Sequence, residues 1–133
     1  MHRHALTAAL LIPVVIDGAF IAEAAQTTVT IRSCYDGDTC TSTAGEKIRL
    51  ACIDTPELEG INADLLPATA ARDFLNDQVA GKEVVIRRIT KDRYGRTVAE
   101  LSKDDINIQQ LLVTKGFAQI YEKYAVQCSW SKR

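Results

Sequence analysis

Thr28-Val29-Thr30-Ile31-Arg32, Asp36-Gly37-Asp38-Thr39 and Lys47-Ile48-Arg49-Leu50-Ala51-Cys52-Ile53-Asp54 follow one another near the start of the chain. The first run is β-branched and alternates with period two, so one face is apolar and the other polar, as on a half-buried strand. Asp36-Gly37 is a hairpin turn pair. Residues 39–43 then read as a second strand, Ala44-Gly45 as a turn and residues 47–53 as a third strand. Residues 54–66 form a polar, irregular connection.

Beyond it, Pro67 suits the first turn of a helix. Ala71, Phe74, Leu75, Gln78 and Val79 recur at helical spacing, and Gly81 closes the run. Residues 84–89 form a fourth strand, Asp92-Arg93-Tyr94-Gly95 a turn and residues 97–101 a fifth strand. Asp105 or Asn107 caps a second helix that carries Ile108, Leu111 and Leu112 and ends at Gly116. The order β-β-β-α-β-β-α is an α+β pattern. A five-stranded sheet hides its edges most simply by closing into a barrel with the helices outside.

The chain has 133 residues, 47% of them hydrophobic and 25% charged, with 7 Gly and 3 Pro. This is the composition of one ordinary domain, outside the collagen-like, low-complexity and disordered classes. No apolar run reaches the ~18 residues of a membrane-spanning helix. With 16 basic and 17 acidic residues, composition carries no basic footprint for nucleic acid.

The N-terminal residues stand apart from this domain. His2-Arg3-His4 precede an uncharged, mostly apolar stretch over residues 5–16, and Ala22-Glu23-Ala24 places small residues where a signal peptidase needs them. Pro13 argues against a core helix here. A secretory signal over residues 1–25 is expected, with a mature domain at 26–133, export to the periplasm or medium, and no stable membrane association after cleavage. Removing Arg3, Asp17 and Glu23 leaves 15 basic and 15 acidic residues. All 4 cysteines, Cys34, Cys40, Cys52 and Cys128, fall in the mature part. An even count in an exported chain predicts disulfides, and spacing leaves three pairings open. Zinc is disfavoured, because the mature chain has no C-x-x-C and no histidine.

Acids and arginines gather in three short segments, around Asp36-Gly37-Asp38-Thr39, Arg49 with Asp54-Thr55-Pro56-Glu57, and Arg93-Tyr94-Gly95-Arg96. Singly, each reads as a turn, a loop or a solvated connection. Together they supply what metal-assisted phosphodiester hydrolysis requires. Asp38 and Asp54 offer hard oxygens of the kind Ca²⁺ prefers. Arg49 and Arg96 can hold a phosphate by bidentate hydrogen bonds and stabilise its extra transition-state charge. Glu57 can orient or deprotonate an attacking water.

These segments, with Leu112-Val113 and Gly116-Phe117-Ala118, resemble the staphylococcal nuclease-like (thermonuclease) family in the right order, from about Thr28 to Tyr124. The resemblance implies an OB-type β-barrel with two or three helices packed outside. It implies a monomeric, Ca²⁺-dependent endonuclease of low sequence specificity, cutting DNA and RNA to 3′-phosphate products. Carried over by position, Arg49, Glu57 and Arg96 would be catalytic. Asp38, Asp54 and the carbonyl of Thr55 would hold the metal, with Asp36 supporting. Arg93, Tyr94 and Tyr124 would meet the substrate, the tyrosines by stacking. A short tail after Gly116 leaves Trp130, with Cys128, to close the core. Arg87, Arg88, Lys91, Arg93 and Arg96 would supply local positive charge to a neutral chain, or be an ordinary solvated edge. The alternative function is a catalytically inactive module of the same fold that binds nucleic acid or protein. Retention of the whole acid and arginine set favours the enzyme.

Overall fold

The computed structural model describes residues 5, 7–14 and 26–131. Much of the expected signal, including its charged start and the cleavage region, lies outside the described residues. Within it, Leu10, Leu11, Ile12 and Val14 are solvent-exposed and without regular structure.

The elements run β1 (Thr28–Asp36), β2 (Thr39–Ser42), β3 (Lys47–Leu50), β4 (Ile53–Asp54), α1 (Leu65–Val79), β5 (Glu83–Lys91) and β6 (Thr97–Lys103). They continue with β7 (Ile106–Asn107), α2 (Ile108–Thr114), β8 (Gln119–Ile120) and two 3-10 helices, Glu122–Gln127 and Ser129–Ser131. The main sheet has the order β3-β2-β1-β5-β6-β7. A parallel pairing of β3 with β6, Ile48 opposite Thr97, joins its ends into a closed five-stranded barrel. The expected α+β architecture, an OB-type barrel with helices outside, is the observed one.

Alternation fills the interior. Ile31, Ile48, Leu50, Ile86 and Leu101 point inward and are almost fully buried, with Leu75 and Val79 of α1 and Leu112 of α2 closing the ends of the core. β1 runs to Asp36, past the end of its regular alternation, because two irregularities in its register with β2 bend it without ending the ladder.

The third strand is shorter than expected. It stops at Leu50, the chain turns through Ala51 and Cys52, and Ile53 and Asp54 pair instead with Ile120 and Gln119 of β8. Hydrophobicity does not mark this break, since every residue from Leu50 to Ile53 is buried.

α1 starts at Leu65, two residues before Pro67. Pro67 still falls in the first turn, where a backbone N–H has no intrahelical partner. Its buried Ala68, Ala71 and Leu75 face the barrel. Gly37 permits the close approach: a Cβ there would lie 2.7 Å from the Ala71 Cβ and 2.9 Å from Thr55 Cγ2. Asn76 completes the seat. Its Oδ1 accepts from the Cys34 N–H at 2.8 Å, and its Nδ2 donates to the Cys34 carbonyl at 2.9 Å.

Of the two expected caps for α2, Asn107 is the one used, its side chain accepting from the Gln110 N–H at 2.9 Å. Asp105 instead sits with Asp104 in a left-handed turn between β6 and β7. The fully buried Gln109 pairs both its oxygen and its nitrogen with the backbone of Leu101, satisfying the edge of β6 away from β5, between its pairings with β3 and β7.

The cysteines form Cys34–Cys40 and Cys52–Cys128. The second closes a separation of 76 residues, worth about 4 kcal/mol on the chain-entropy account. It fastens the C-terminal 3-10 helices to the barrel. Trp130 packs between the main core and the Ala51-Cys52-Cys128 cluster, and its Nε1 donates to Glu100 at 2.7 Å. Trp130 and Cys128 thus close the fold together, as expected.

Candidate active site

Arg49 occupies the half-buried position between Ile48 and Leu50 on β3, so its side chain leaves the barrel wall as theirs enter it. Nη1 donates to the Leu50 carbonyl at 2.7 Å and Nη2 to the Ile53 carbonyl at 3.0 Å. Nη2 also lies 3.2 Å from Asp38 Oδ2 and 3.8 Å from Asp54 Oδ1. One guanidinium therefore gathers the turn that leaves β3 and the acids of two separate segments.

Asp38 is buried in the β1–β2 turn. Its Oδ2 accepts from the Thr55 hydroxyl at 3.1 Å and the Thr55 N–H at 3.3 Å. Asp36 Oδ1 in turn accepts the Asp38 N–H at 3.0 Å. Burial pushes the Asp38 carboxyl up to about 7, against the pull of Arg49, and neighbouring Asp36 pushes the same way. Three carboxylates, those of Asp36, Asp38 and Asp54, thus gather around one arginine, a surplus of acid over base.

That surplus and the all-oxygen donor chemistry fit a hard divalent cation. Among the described residues no three His, Cys, Asp or Glu side chains form a ready-made ligand cluster. Asp38 and Asp54, both within 3.8 Å of Arg49, are the carboxylates that could contribute to such a site.

Arg96 arrives from the β5–β6 connection, where Asp92 organises the turn. One Asp92 carboxylate accepts the N–H groups of Tyr94 and Arg96, both at 2.9 Å, and Arg96 Nε at 2.7 Å. Burial opposes ionisation of Asp92, yet the combined hydrogen bonds from Arg96 and Tyr94 hold its carboxyl below the usual carboxylate range. The guanidinium carbons of Arg93 and Arg96 lie 4.8 and 5.3 Å from the Tyr94 ring centroid, within cation–π range.

Arg49, Arg93, Tyr94, Arg96 and Tyr124 share one cleft of about 560 Å³ with Lys91, Asp92, Tyr121 and Lys123. Tyr121 and Tyr124 meet edge to face at 5.1 Å, and Lys123 Nζ lies 5.2 Å from the Tyr124 ring. Asp54 and Thr55 line a second, smaller depression with Pro56 and Phe117. Arg49 links the two groups through its contact with Asp54. Glu57 lines neither hollow. Its exposed side chain has no hydrogen bond or ion pair with a described residue, while its backbone bridges to Ala63 and its carbonyl accepts the Asp64 N–H at 2.9 Å.

Several residues of this site carried no individual sequence signal. Tyr121 and Lys123 reach the cleft only because β8 and the 3-10 helix after it fold back over the turn at Cys52. Asp92 is visible as a turn residue, and its grip on Arg96 is a matter of geometry. The expected positive patch divides. Arg87 is tied to Glu100 at 2.6 Å and Arg88 to Glu46 at 2.7 Å, whereas Lys91, Arg93 and Arg96 line the cleft. Two of the five cations are therefore held in ion pairs outside the cleft lining, and Arg96 is paired with Asp92 within it.

The molecule is thus a closed OB-type barrel with one arginine between two carboxylates, beside a cationic and aromatic cleft. The sequence model of the staphylococcal nuclease homologue family matches residues 47–132, and the chain belongs to that family. Proteins described as uncharacterized endonucleases are similar to it. One from Escherichia coli is 34% identical over 93 residues, covering 67% of this chain and 58% of its own. One from Haemophilus influenzae is 37% identical over 94 residues, covering 68% and 50% respectively. A staphylococcal-like nuclease of Arabidopsis thaliana is 31% identical over 86 residues, 65% of this chain and 25% of its own. The matched region thus spans about half the length of the bacterial relatives.

Proposed function

We propose that the protein is an exported, Ca²⁺-dependent endonuclease of low sequence specificity that hydrolyses DNA and RNA to 3′-phosphate products. The observation that carries this reading is the place of Arg49. It sits within ion-pair distance of Asp38 and Asp54 and borders the same cleft as Arg96.

In this reading Arg49 and Arg96 hold the scissile phosphate from two sides and stabilise the charge that develops as water adds to phosphorus. Asp38, Asp54 and the Thr55 carbonyl, with Asp36 supporting, would hold Ca²⁺, which when bound would supply further charge neutralisation at the phosphate. Glu57, free of competing contacts, orients the water or takes its proton as the new P–O bond forms and the bond to the 5′ oxygen breaks. Tyr94 and Tyr124 offer rings to unstacked bases, and Arg93 adds positive charge beside them. Two disulfides and an exposed, unstructured apolar stretch before the barrel support export through a leader at residues 1–25, leaving 26–133 as the working domain. The domain acts as a monomer without stable membrane association.

The test is hydrolysis of single-stranded DNA by residues 26–133 in Ca²⁺ and in excess chelator, beside Glu57→Gln. Cleavage that needs Ca²⁺ and falls by about 10²-fold or more in the variant is expected. A folded, oxidised protein that binds DNA without cutting it would replace this reading with that of a binding module.

A further inference from the structure

Cys52 stands in the left-handed backbone region, at φ 68°. A residue with a Cβ avoids this region, and the exceptions tend to be short polar residues that bond locally. Asp104 and Asp105, at φ 52° and 63°, are exceptions of that kind in a hairpin turn. Cys52 is not, so its conformation must be imposed from outside.

Three ties do so. The disulfide to Cys128 holds the side chain. The Cys52 carbonyl accepts the Tyr121 N–H at 2.8 Å, and the Ala51 N–H donates to the Ala99 carbonyl at 2.9 Å. Only the first acts on the side chain of the strained residue itself. The result of the turn is seen at Arg49. The carbonyls on either side of it, Leu50 and Ile53, receive the two ends of that guanidinium, and Asp54 follows directly.

We propose that Cys52, held by Cys128, is a positioning residue for Arg49. The disulfide keeps Cys52 in the left-handed conformation, so that the carbonyls of Leu50 and Ile53 stay aimed at the guanidinium and fix its plane toward the phosphate. Strain retained where the surroundings over-determine it is characteristic of functional sites. The inference rests on the reading of Arg49 as the phosphate-holding arginine.

Two double variants separate this role from simple stapling of the C-terminus. Cys52→Ala/Cys128→Ser removes the bridge and leaves a residue that resists φ > 0. Cys52→Gly/Cys128→Ser removes the same bridge but leaves a residue that adopts it freely. Hydrolysis of a single-stranded oligonucleotide in Ca²⁺ is followed below the melting temperature of each protein. The alanine variant should lose kcat on the order of 10²-fold, the usual penalty for a displaced catalytic group, with KM little changed. The glycine variant should recover most of that loss.

Wild-type kcat in the alanine variant overturns the proposal, as does equal impairment of both variants, which would make the bridge a general staple. Should the alanine variant not fold, the glycine variant decides alone, near-native kcat supporting the proposal and deep loss overturning it. Arg49→Lys is measured alongside. Full activity there would remove Arg49 from catalysis and so the basis of the inference. An inactive Arg49→Lys beside a fully active alanine variant overturns the positioning role alone.

Discussion

Arg96 reaches the cleft on an arm held from behind by a single carboxylate. Asp92 directs three acceptor contacts at two backbone N–H groups and Arg96 Nε, which under the proposed function leaves the outer face of the guanidinium for a phosphate. Asp92→Asn should keep a turn but weaken the grip on Nε, because a neutral amide oxygen is a poorer acceptor for a charged donor. Loss of roughly tenfold in kcat/KM is expected, about 1.4 kcal/mol of transition-state stabilisation. Steady-state kinetics with a melting curve as control would check it, and unchanged kinetics would detach Asp92 from the chemistry. At this scale the sequence was informative about identity and silent about contact. The acids and arginines were legible because few structures need Asp38, Arg49, Asp54 and Arg96 together. That Arg49 binds the carbonyls of Leu50 and Ile53 was not legible, because backbone carbonyls have no signature in a sequence.

The β1–β2 turn and α1 form a unit in which small residues carry the geometry. Gly37 lies where a methyl group would collide with Ala71 and Thr55, and Thr55 is itself bonded to Asp38. Gly37→Ala should therefore push the Asp38-bearing turn off the helix and destabilise the protein by about 1–3 kcal/mol, the usual cost of overpacking. A shifted urea midpoint at unchanged slope would report this, and stability equal to wild type would mean the turn yields freely. Strand and helix identity were legible where periodicity was clean, as in β1, α1 and α2. The break after Leu50 was not, since Ala51, Cys52 and Ile53 are buried on both sides of it. The fold-back of β8 was equally hidden, because two residues pairing with a distant strand leave no periodic trace.

The whole barrel depends on a seam between β3 and β6, and Glu46 guards it. Its carboxylate takes two hydrogen bonds from Arg88 on β5, at 2.7 and 2.9 Å, and one from the Thr97 hydroxyl on β6 at 2.8 Å. Hydrogen bonding from Arg88, then from Thr97, lowers the Glu46 carboxyl to about 2 despite partial burial. Because the folded value lies below the unfolded one, this stabilisation is full above about pH 4.5 and is lost as pH falls toward 2. With Arg88 43% exposed, solvent screening limits it to about 1 kcal/mol. The stability gap between wild type and Glu46→Gln should be constant near neutrality and close below pH 4.5. A gap that stays open at pH 2 would assign it to packing instead.

By itself the sequence determined the class of fold, the order of its main elements, and the acids and arginines that mark its family. Those follow from local periodicity, turn chemistry and residue type, which a chain carries wherever it folds. Tertiary structure alone decided which cysteines pair, which cations are consumed in ion pairs with Glu46 and Glu100, and that Tyr121 joins Tyr94 and Tyr124 in the cleft. It also decided that Cys52 adopts a left-handed turn beneath Arg49. Each of these depends on atoms far apart in sequence meeting at a few ångströms, and only closure of the barrel brings them there.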